Sequence, residues 1–322
     1  MTIRKAKRQR KYRSSLNNCC QLSVIGYRFK LTTDNRQLKI ILKNNDTFIT
    51  AKPISQKISR YISYYYFHAS EDENYNKSFV FYPNYKHALT VYKNSEVSLT
   101  TTSSTVTPTE KITIQPLYTV NKEKNLKVSL QGRFDKLGIV FNPLGINFFI
   151  EKPLSEILTS DFGFFPHFGE EFRKVLAQVF DEKDLQNKVT LLDTFFEKRL
   201  VEFDEPILKK SIKEIISTNG AIKVAELSEE VNTNRKTLLR LFKKHTNMSV
   251  EEYRKMVMFR QALNYFHQSK EKTNLTDVAL FSMYYDQAHF IKHFKSITKE
   301  TPTTLLSKIS HLGEDTYWYF EN

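Results

Sequence analysis

Two ten-residue stretches carry side chains whose types and spacing could read a DNA duplex. The first, Asn234 to Lys243, runs Asn-Arg-Lys-Thr-Leu-Leu-Arg-Leu-Phe-Lys; the second, Asp286 to Lys295, runs Asp-Gln-Ala-His-Phe-Ile-Lys-His-Phe-Lys. Apolar residues recur in each at helical spacing, Leu238, Leu241 and Phe242 in one and Phe290 and Phe294 in the other, which turns the remaining positions outward. Those outward positions hold recognition chemistry. Arg240 can offer two guanidinium donors to guanine O6 and N7, Gln287 can pair with adenine N6 and N7, and Leu239, Ala288 or Ile291 can meet a thymine methyl. Lys243, Lys244 and Lys295 suit phosphates, which accept charge without reporting sequence.

The elements that must position these residues also come in two copies. A shift of 52 positions places Leu238 on Phe290, Phe242 on Phe294, Lys243 on Lys295 and Ser249 on Thr301. In the first copy, Val224 to Val231 predicts a short helix and Asn232 to Asn234 a polar turn, with Asn234 capping the next helix. In the second, Asn274 followed three residues on by Asp277 predicts a capping box, Val278, Ala279 and Phe281 an apolar face, and Asp286 the next cap. Each copy therefore has the parts of a helix-turn-helix. Val250 to Gln268 contains no Gly or Pro and spaces Tyr253, Met256, Leu263 and Phe266 helically, so it predicts a rigid connecting helix.

This arrangement is similar to the DNA-binding domain of the AraC/XylS family of bacterial transcription regulators. The resemblance rests on the string Tyr284-Tyr285-Asp286-Gln287-Ala288-His289-Phe290-Ile291-Lys292, on Thr301-Pro302 and on Leu241-Phe242-Lys243, and it covers roughly residues 207 to 310. It implies a sequence-specific regulator whose two recognition helices enter successive major-groove segments of promoter DNA, about one helical turn or roughly 34 Å apart. Family positions for base reading fall on Lys236, Leu239 and Arg240 in the first helix and on Ala288, Ile291 and Lys292 in the second, with Arg235 and Gln287 as neighbours within reach. Asn247, Lys299 and Met283 stand where the family usually has glycine. Asparagine tolerates a left-handed backbone, whereas Lys299 and Met283 would cost roughly 1 kcal/mol each in the same geometry.

Composition and charge agree with a nucleic-acid partner. At 322 residues, 40% hydrophobic and 13% aromatic, the chain can build two globular domains. The net charge of +14 is uneven: residues 1–13 hold seven Lys or Arg and no acid, residues 207–312 hold 18 against 10, and the remainder holds 24 against 25. Positive charge thus gathers on the repeat region and on a basic N-terminal stretch. No apolar run reaches the length of a membrane span, and Leu16 to Ile25 is broken by Asn17, Asn18, Gln21 and Ser23, so neither membrane insertion nor a signal peptide is expected. Cys19 and Cys20 are adjacent and the only cysteines, which disfavours a disulfide or a zinc site and fits a reducing cytoplasm.

Motifs for catalysis are not found: there is no phosphate loop, no Gly-x-Ser-x-Gly elbow and no zincin pattern, and eight glycines leave little material for a nucleotide cradle. No catalytic residue, metal or cofactor is expected. His289 and His293 have the i, i+4 spacing of a metal pair, but His289 belongs to the helix-turn-helix string and reads as structural or DNA-facing.

The expected fold class is α+β: a small N-terminal β-sheet or barrel domain, a helical linker and an all-α C-terminal domain with two helix-turn-helix units. Boundaries are drawn at 1–38 for a basic, disordered tail and an undefined segment, 39–150 for the β domain, 151–206 for the helical linker or dimerisation segment, 207–312 for the DNA-binding domain, and 313–322 for a C-terminal tail. Lys39 to Leu42, Phe79 to Pro83, Ala88 to Tyr92, Glu96 to Thr102, Ile112 to Val120 and Leu126 to Leu130 read as strands, while Ile58 to Phe67 suits either a helix or a strand. Gly138 to Gly145 and the Pro153-Leu154-Ser155-Glu156-Ile157 segment resemble the N-terminal domain of one subgroup of the same family, which implies a β domain often supposed to be a sensor, followed by helices that dimerise. Tyr61, Tyr64, Tyr65, Tyr66, Phe67, Phe79, Phe81, Tyr82, Tyr85 and Tyr92 are expected to fill its core, with an effector pocket as the other use.

Double-stranded promoter DNA is the expected partner. A small-molecule effector, RNA polymerase and a second copy of the chain remain open as others. Two rival functions stand beside this one. A DNA-repair or other enzyme fused to the helix-turn-helix region would need an activated cysteine that Cys19 and Cys20 do not supply, and a constitutive architectural DNA binder would lack sequence preference.

Overall fold

The computed structural model describes residues 37–41, 46–120, 125–268, 277–278, 284, 286–306, 310–312 and 316–321. The basic stretch 1–13, the cysteine pair and the expectations placed on Asn274, Ala279, Phe281 and Met283 lie outside them.

Strands come first along the chain: β1 (Gln37–Ile41), β2 (Asp46–Ala51), β3 (Ile62–Ser70), β4 (Asn76–Phe81), β5 (Ala88–Lys93), β6 (Ser95–Leu99), β7 (Ser103–Pro108), β8 (Ile114–Thr119), β9 (Leu126–Gln131) and β10 (Phe134–Phe141). They divide between two sheets. One has the order β1-β2-β3-β10-β5-β8 and is completed by a short strand β11 (Phe162–Phe164); the other contains β4-β9-β7-β6. All pairings are antiparallel except β7 with β9.

The segment that could have been helix or strand is a 3-10 turn, Ile58–Arg60, followed by β3. Its period is two: Tyr64 and Tyr66 enter the core between the sheets with Phe79, Val128 and Leu130, while Tyr65 enters the opposite core with Leu89, Val91 and Ile139. Pairing with β2 on one side and β10 on the other uses both backbone edges of β3 and fixes the strand. Gly138 faces Tyr66 across the β10 pairing, and a Cβ there would sit 1.8 Å from the ring, so the tyrosine lies flat only because that position is glycine.

Helices cover the outer face of the first sheet. After a single turn, α1 (Leu154–Ile157), come α2 (Gly169–Asp181) and α3 (Leu185–Lys198), which bury Phe172, Leu176, Phe195 and Phe196 against the sheet. Asp193 of α3 anchors this layer. Buried at 4% exposure, its carboxylate accepts from the Tyr65 hydroxyl at 2.7 Å and from the backbone N–H groups of Ile54 and Ser55, both at 2.8 Å.

Among the described residues, the helical half contains α4 (Pro206–Ser217), α5 (Val224–Glu230), α6 (Arg235–Thr246), α7 (Val250–Gln268), α8 (Gln287–Thr298) and α9 (Pro302–Leu306). The expected connecting helix has the predicted bounds. Strands continue past α9, at the end of the 207–312 region and into the 313–322 segment. Residues Ser310–Leu312 (β12) and Thr316–Glu321 (β13) form a hairpin, and β13 pairs antiparallel with β4, placing Tyr319 opposite Val80 and Glu321 opposite Ser78. The chain thus returns to the β domain and extends the second sheet at an edge that β4 would otherwise leave open.

Candidate nucleic-acid interface

Each recognition helix begins where a side chain caps it. Asn234 Oδ1 accepts the Thr237 N–H at 2.8 Å, and Asp286 Oδ1 accepts the His289 N–H at 2.7 Å, satisfying donors that a helix start leaves orphaned. In α6, Leu238, Leu241 and Phe242 are buried, and Arg235, Lys236, Leu239, Arg240, Lys243 and Lys244 are exposed. Leu239 is 45% exposed, an apolar side chain held out among cations. In α8, Phe290, Phe294 and Ile297 point inward, and Gln287, Ala288, Lys292 and Lys295 outward. Ile291 is half-buried and packs against the core of its own unit, so it has less freedom to reach a base than its counterpart Leu239.

The turns adopt the geometry their residues have to tolerate. Asn232, Asn247 and Lys299 have φ of 50°, 57° and 64°, all left-handed. For Lys299 this is the strained case foreseen from its side chain, and it closes α8 with its own N–H bonded to Lys295 O.

The connecting helix starts with a capping box in which Ser249 Oγ accepts the Glu252 N–H and Glu252 accepts the Ser249 N–H. Glu252 Oε2 also holds Lys243 Nζ at 3.1 Å. Burial pushes this carboxyl up, but the hydrogen bonds from Ser249 and the Lys243 ammonium prevail and hold it at about 2. Lys243 therefore fixes α6 against α7 before any phosphate is considered, whereas Lys244 and Lys295 stand exposed.

A family model described as a helix-turn-helix domain matches residues 227–308, the span that contains both capped helices and the connecting helix between them. The chain thus carries a DNA-binding helix-turn-helix domain. The chain is similar to solved structures at low identity. ToxT from Vibrio cholerae is 14% identical over 81% of this chain and 97% of that one, with a TM-score of 0.41. The C-terminal domain of AraT, a response regulator from Geobacillus stearothermophilus, is 17% identical over 35% and 92%, with a TM-score of 0.31. A DNA-binding transcriptional dual regulator from Escherichia coli K-12 is 17% identical over 33% and 96%, with a TM-score of 0.28. No curated protein matches the chain.

Contacts from the β domain reach both halves of the DNA-binding region, which sequence reasoning did not find. Asn147 Nδ2 donates to His245 O at the end of α6 (3.1 Å), and His245 Nε2 lies 3.0 Å from Glu205 Oε1. Arg260 of α7 donates from Nε to Pro83 O at 2.6 Å and from Nη2 to Tyr82 O at 2.7 Å. Asn125 Nδ2 donates to Thr298 O at the end of α8 (2.9 Å). These are long-range pairings between ordinary polar residues, and no local pattern marks them.

The protein also has a cavity of about 110 Å³ between its sheets. Of the aromatics named from the sequence, Tyr64, Tyr66, Phe81, Tyr82 and Tyr92 line it, whereas Tyr65 and Phe79 are packed in cores. Lys136, 1% exposed, lines it as well, with Nζ 5.3 to 5.7 Å from the ring centres of Phe81, Tyr66 and Tyr92. Burial brings its ammonium down to about 7. Among the described residues no group of three or more His, Cys, Asp or Glu side chains is placed to hold a metal, and no helix is long and apolar enough to cross a membrane.

Proposed function

We propose that the protein is a transcription regulator of the AraC type that reads a two-part promoter site, α6 and α8 of one chain entering successive major-groove segments on one face of the duplex. The observation that carries this reading is the pair of capped helices, each with a buried apolar seam that includes phenylalanine and an exposed polar face, with the long helix α7 between them in the chain. Base reading is assigned to Arg235, Lys236, Leu239 and Arg240 in α6 and to Gln287, Ala288, Ile291 and Lys292 in α8. Phosphate contacts fall to Lys244 and Lys295, with Lys243 contributing from its ion pair.

The cytoplasm is the setting this reading requires, and no chemical step is assigned to the chain. A small-molecule effector is assigned to the cavity, because its lining combines aromatic faces and tyrosine hydroxyls with the Lys86 and Lys136 amines and the Arg260 guanidinium, apolar walls with a few polar groups that orient a ligand. The helices α2 and α3 are the surface we assign to a second copy of the chain, and RNA polymerase is the partner through which binding would change transcription.

Binding of the purified protein to duplex DNA from its own upstream region and to a shuffled duplex, followed by fluorescence anisotropy across a salt series, tests the reading. Tight binding to the first alone that survives moderate salt is the expected result. Equal and steeply salt-dependent binding to both would favour an architectural role.

A further inference from the structure

We propose that Lys136 is a carbonyl-trapping residue, whose side-chain amine captures a small aldehyde inside the β-domain cavity as an imine. The proposal rests on the reading of that cavity as an effector site, and it names the chemical class of the occupant and the bond that holds it.

The strand itself puts the amine there. Along β10, Phe134 and Val140 enter the core between the sheets, while Leu137, Ile139 and Phe141 enter the opposite core, so Lys136 falls on the inter-sheet face. A position that alternation reserves for an apolar side chain thus carries an amine at 1% exposure. Its cross-strand neighbours are His68 on β3 and Tyr92 on β5. Its Nζ lies 5.4 Å, 5.3 Å and 5.7 Å from the ring centres of Tyr66, Phe81 and Tyr92, and all three rings line the cavity. The two other cations of the lining are committed to oxygen acceptors: Lys86 Nζ donates to Ser63 Oγ at 3.1 Å, and Arg260 donates to the carbonyls of Tyr82 and Pro83.

Such a setting makes a lysine nucleophilic. Burial lowers the ammonium to about 7, so close to neutrality a large share of the amine carries its lone pair. An exposed lysine near 10.4 is neutral in only about one molecule in 2,500 at pH 7. Desolvated lysines in apolar pockets are the ones that add to carbonyl groups. In the step, the Nζ lone pair forms a C–N bond to the carbonyl carbon, the C=O π pair moves to oxygen, and one amine proton follows it. The resulting carbinolamine loses its hydroxyl and the remaining N–H proton as water, leaving C=N, with nothing oxidised or reduced. Tyr66 and Thr90, whose hydroxyls lie 3.2 Å apart and which both line the cavity, supply hydrogen bonds for the departing oxygen. Burial pushes the Tyr66 hydroxyl up to about 12, so it keeps the proton it donates. An aldehyde fits better than a ketone, because rings crowd the amine and a second carbon substituent would add bulk at the reacting centre.

Reductive trapping on the full chain tests the assignment. The protein is exposed at pH 7 to dilute butanal with sodium cyanoborohydride, which reduces an imine to a stable amine, and labelled peptides are quantified by mass spectrometry. A parallel reaction uses formaldehyde, which needs almost no space. With both aldehydes, Lys136 is expected to be labelled about tenfold or more faster than the exposed Lys111 and Lys213, the part of the neutral-amine advantage left after its weaker basicity slows attack. Labelling of Lys136 by neither aldehyde, or no faster than the exposed lysines, would overturn the proposal and leave a non-covalent effector reading intact. Fast labelling by formaldehyde alone would show an activated amine in a cavity that admits no larger molecule, and would overturn the effector reading and this proposal together.

Discussion

The Tyr284 hydroxyl lies 2.6 Å from His293 Nδ1, joining the segment before the second recognition helix to the middle of that helix. Burial brings the imidazole down to about 4, with the charges of Lys255 and His289 adding to the effect, so His293 is neutral near pH 7.

A pH dependence of the second unit is the consequence. The unfolded chain takes up a proton on this histidine near 6.5, while the folded chain resists until about 4, so its contribution to stability is full above 6.5 and is lost as pH falls toward 4. In denaturant titrations at a series of pH values, His293→Gln should differ most from the parent near pH 7. That difference should shrink on acidification to pH 4.5. A gap independent of pH would contradict the assignment.

Two cations in α6 should behave differently under the proposed reading, which gives Arg240 a base and Lys244 a phosphate. Arg240→Ala is expected to cost about 1 to 3 kcal/mol on the preferred duplex and to relax preference at one base pair, whereas Lys244→Ala should weaken all duplexes alike and reduce the salt slope by about one. Anisotropy with a panel of single-base variants checks both. Equal losses from Arg240→Ala on preferred and shuffled DNA would refute base reading.

Removing the anchor of the helical layer should be costly. Asp193→Ala leaves the buried Tyr65 hydroxyl and the Ile54 and Ser55 N–H groups without their acceptor, for an expected loss of about 3 kcal/mol or more. Thermal or urea unfolding of the variant measures it. A change below about 1 kcal/mol would mean that water replaces the carboxylate.

Lys299 offers a substitution in the opposite direction. Its left-handed φ of 64° carries a strain that glycine lacks, so Lys299→Gly should stabilise the second unit by roughly 1 kcal/mol, and Asn247→Gly the first by less. Midpoints of urea unfolding would show the ranking.

Local chemistry made the recognition helices legible before any coordinates. Asn234 and Asp286 cap their own helices through contacts three residues away, and Leu238, Phe242, Phe290 and Phe294 repeat with the helix period, so neighbouring residues alone define the pattern. Ile58 to Phe67 resisted the same treatment, because an unbroken aromatic run has no period until two neighbouring strands impose one. Arg260 and β13 were illegible for a stronger reason. Their partners lie on β4 and just after it, far away in the chain, and neither a solvated arginine nor a short aromatic segment differs in sequence from one that is paired.

The pairing of β13 with β4 also orders events in time. During synthesis β4 emerges more than two hundred residues before the strand that covers its edge, so a ribosome-bound chain carries an open sheet edge while the whole helical region is made. Closing that gap is among the longest-range contacts in the molecule, and contacts of such separation are slow to form. The β domain therefore matures only after the DNA-binding helices exist, which makes a β domain without partner helices a state the nascent chain passes through and the finished one leaves behind.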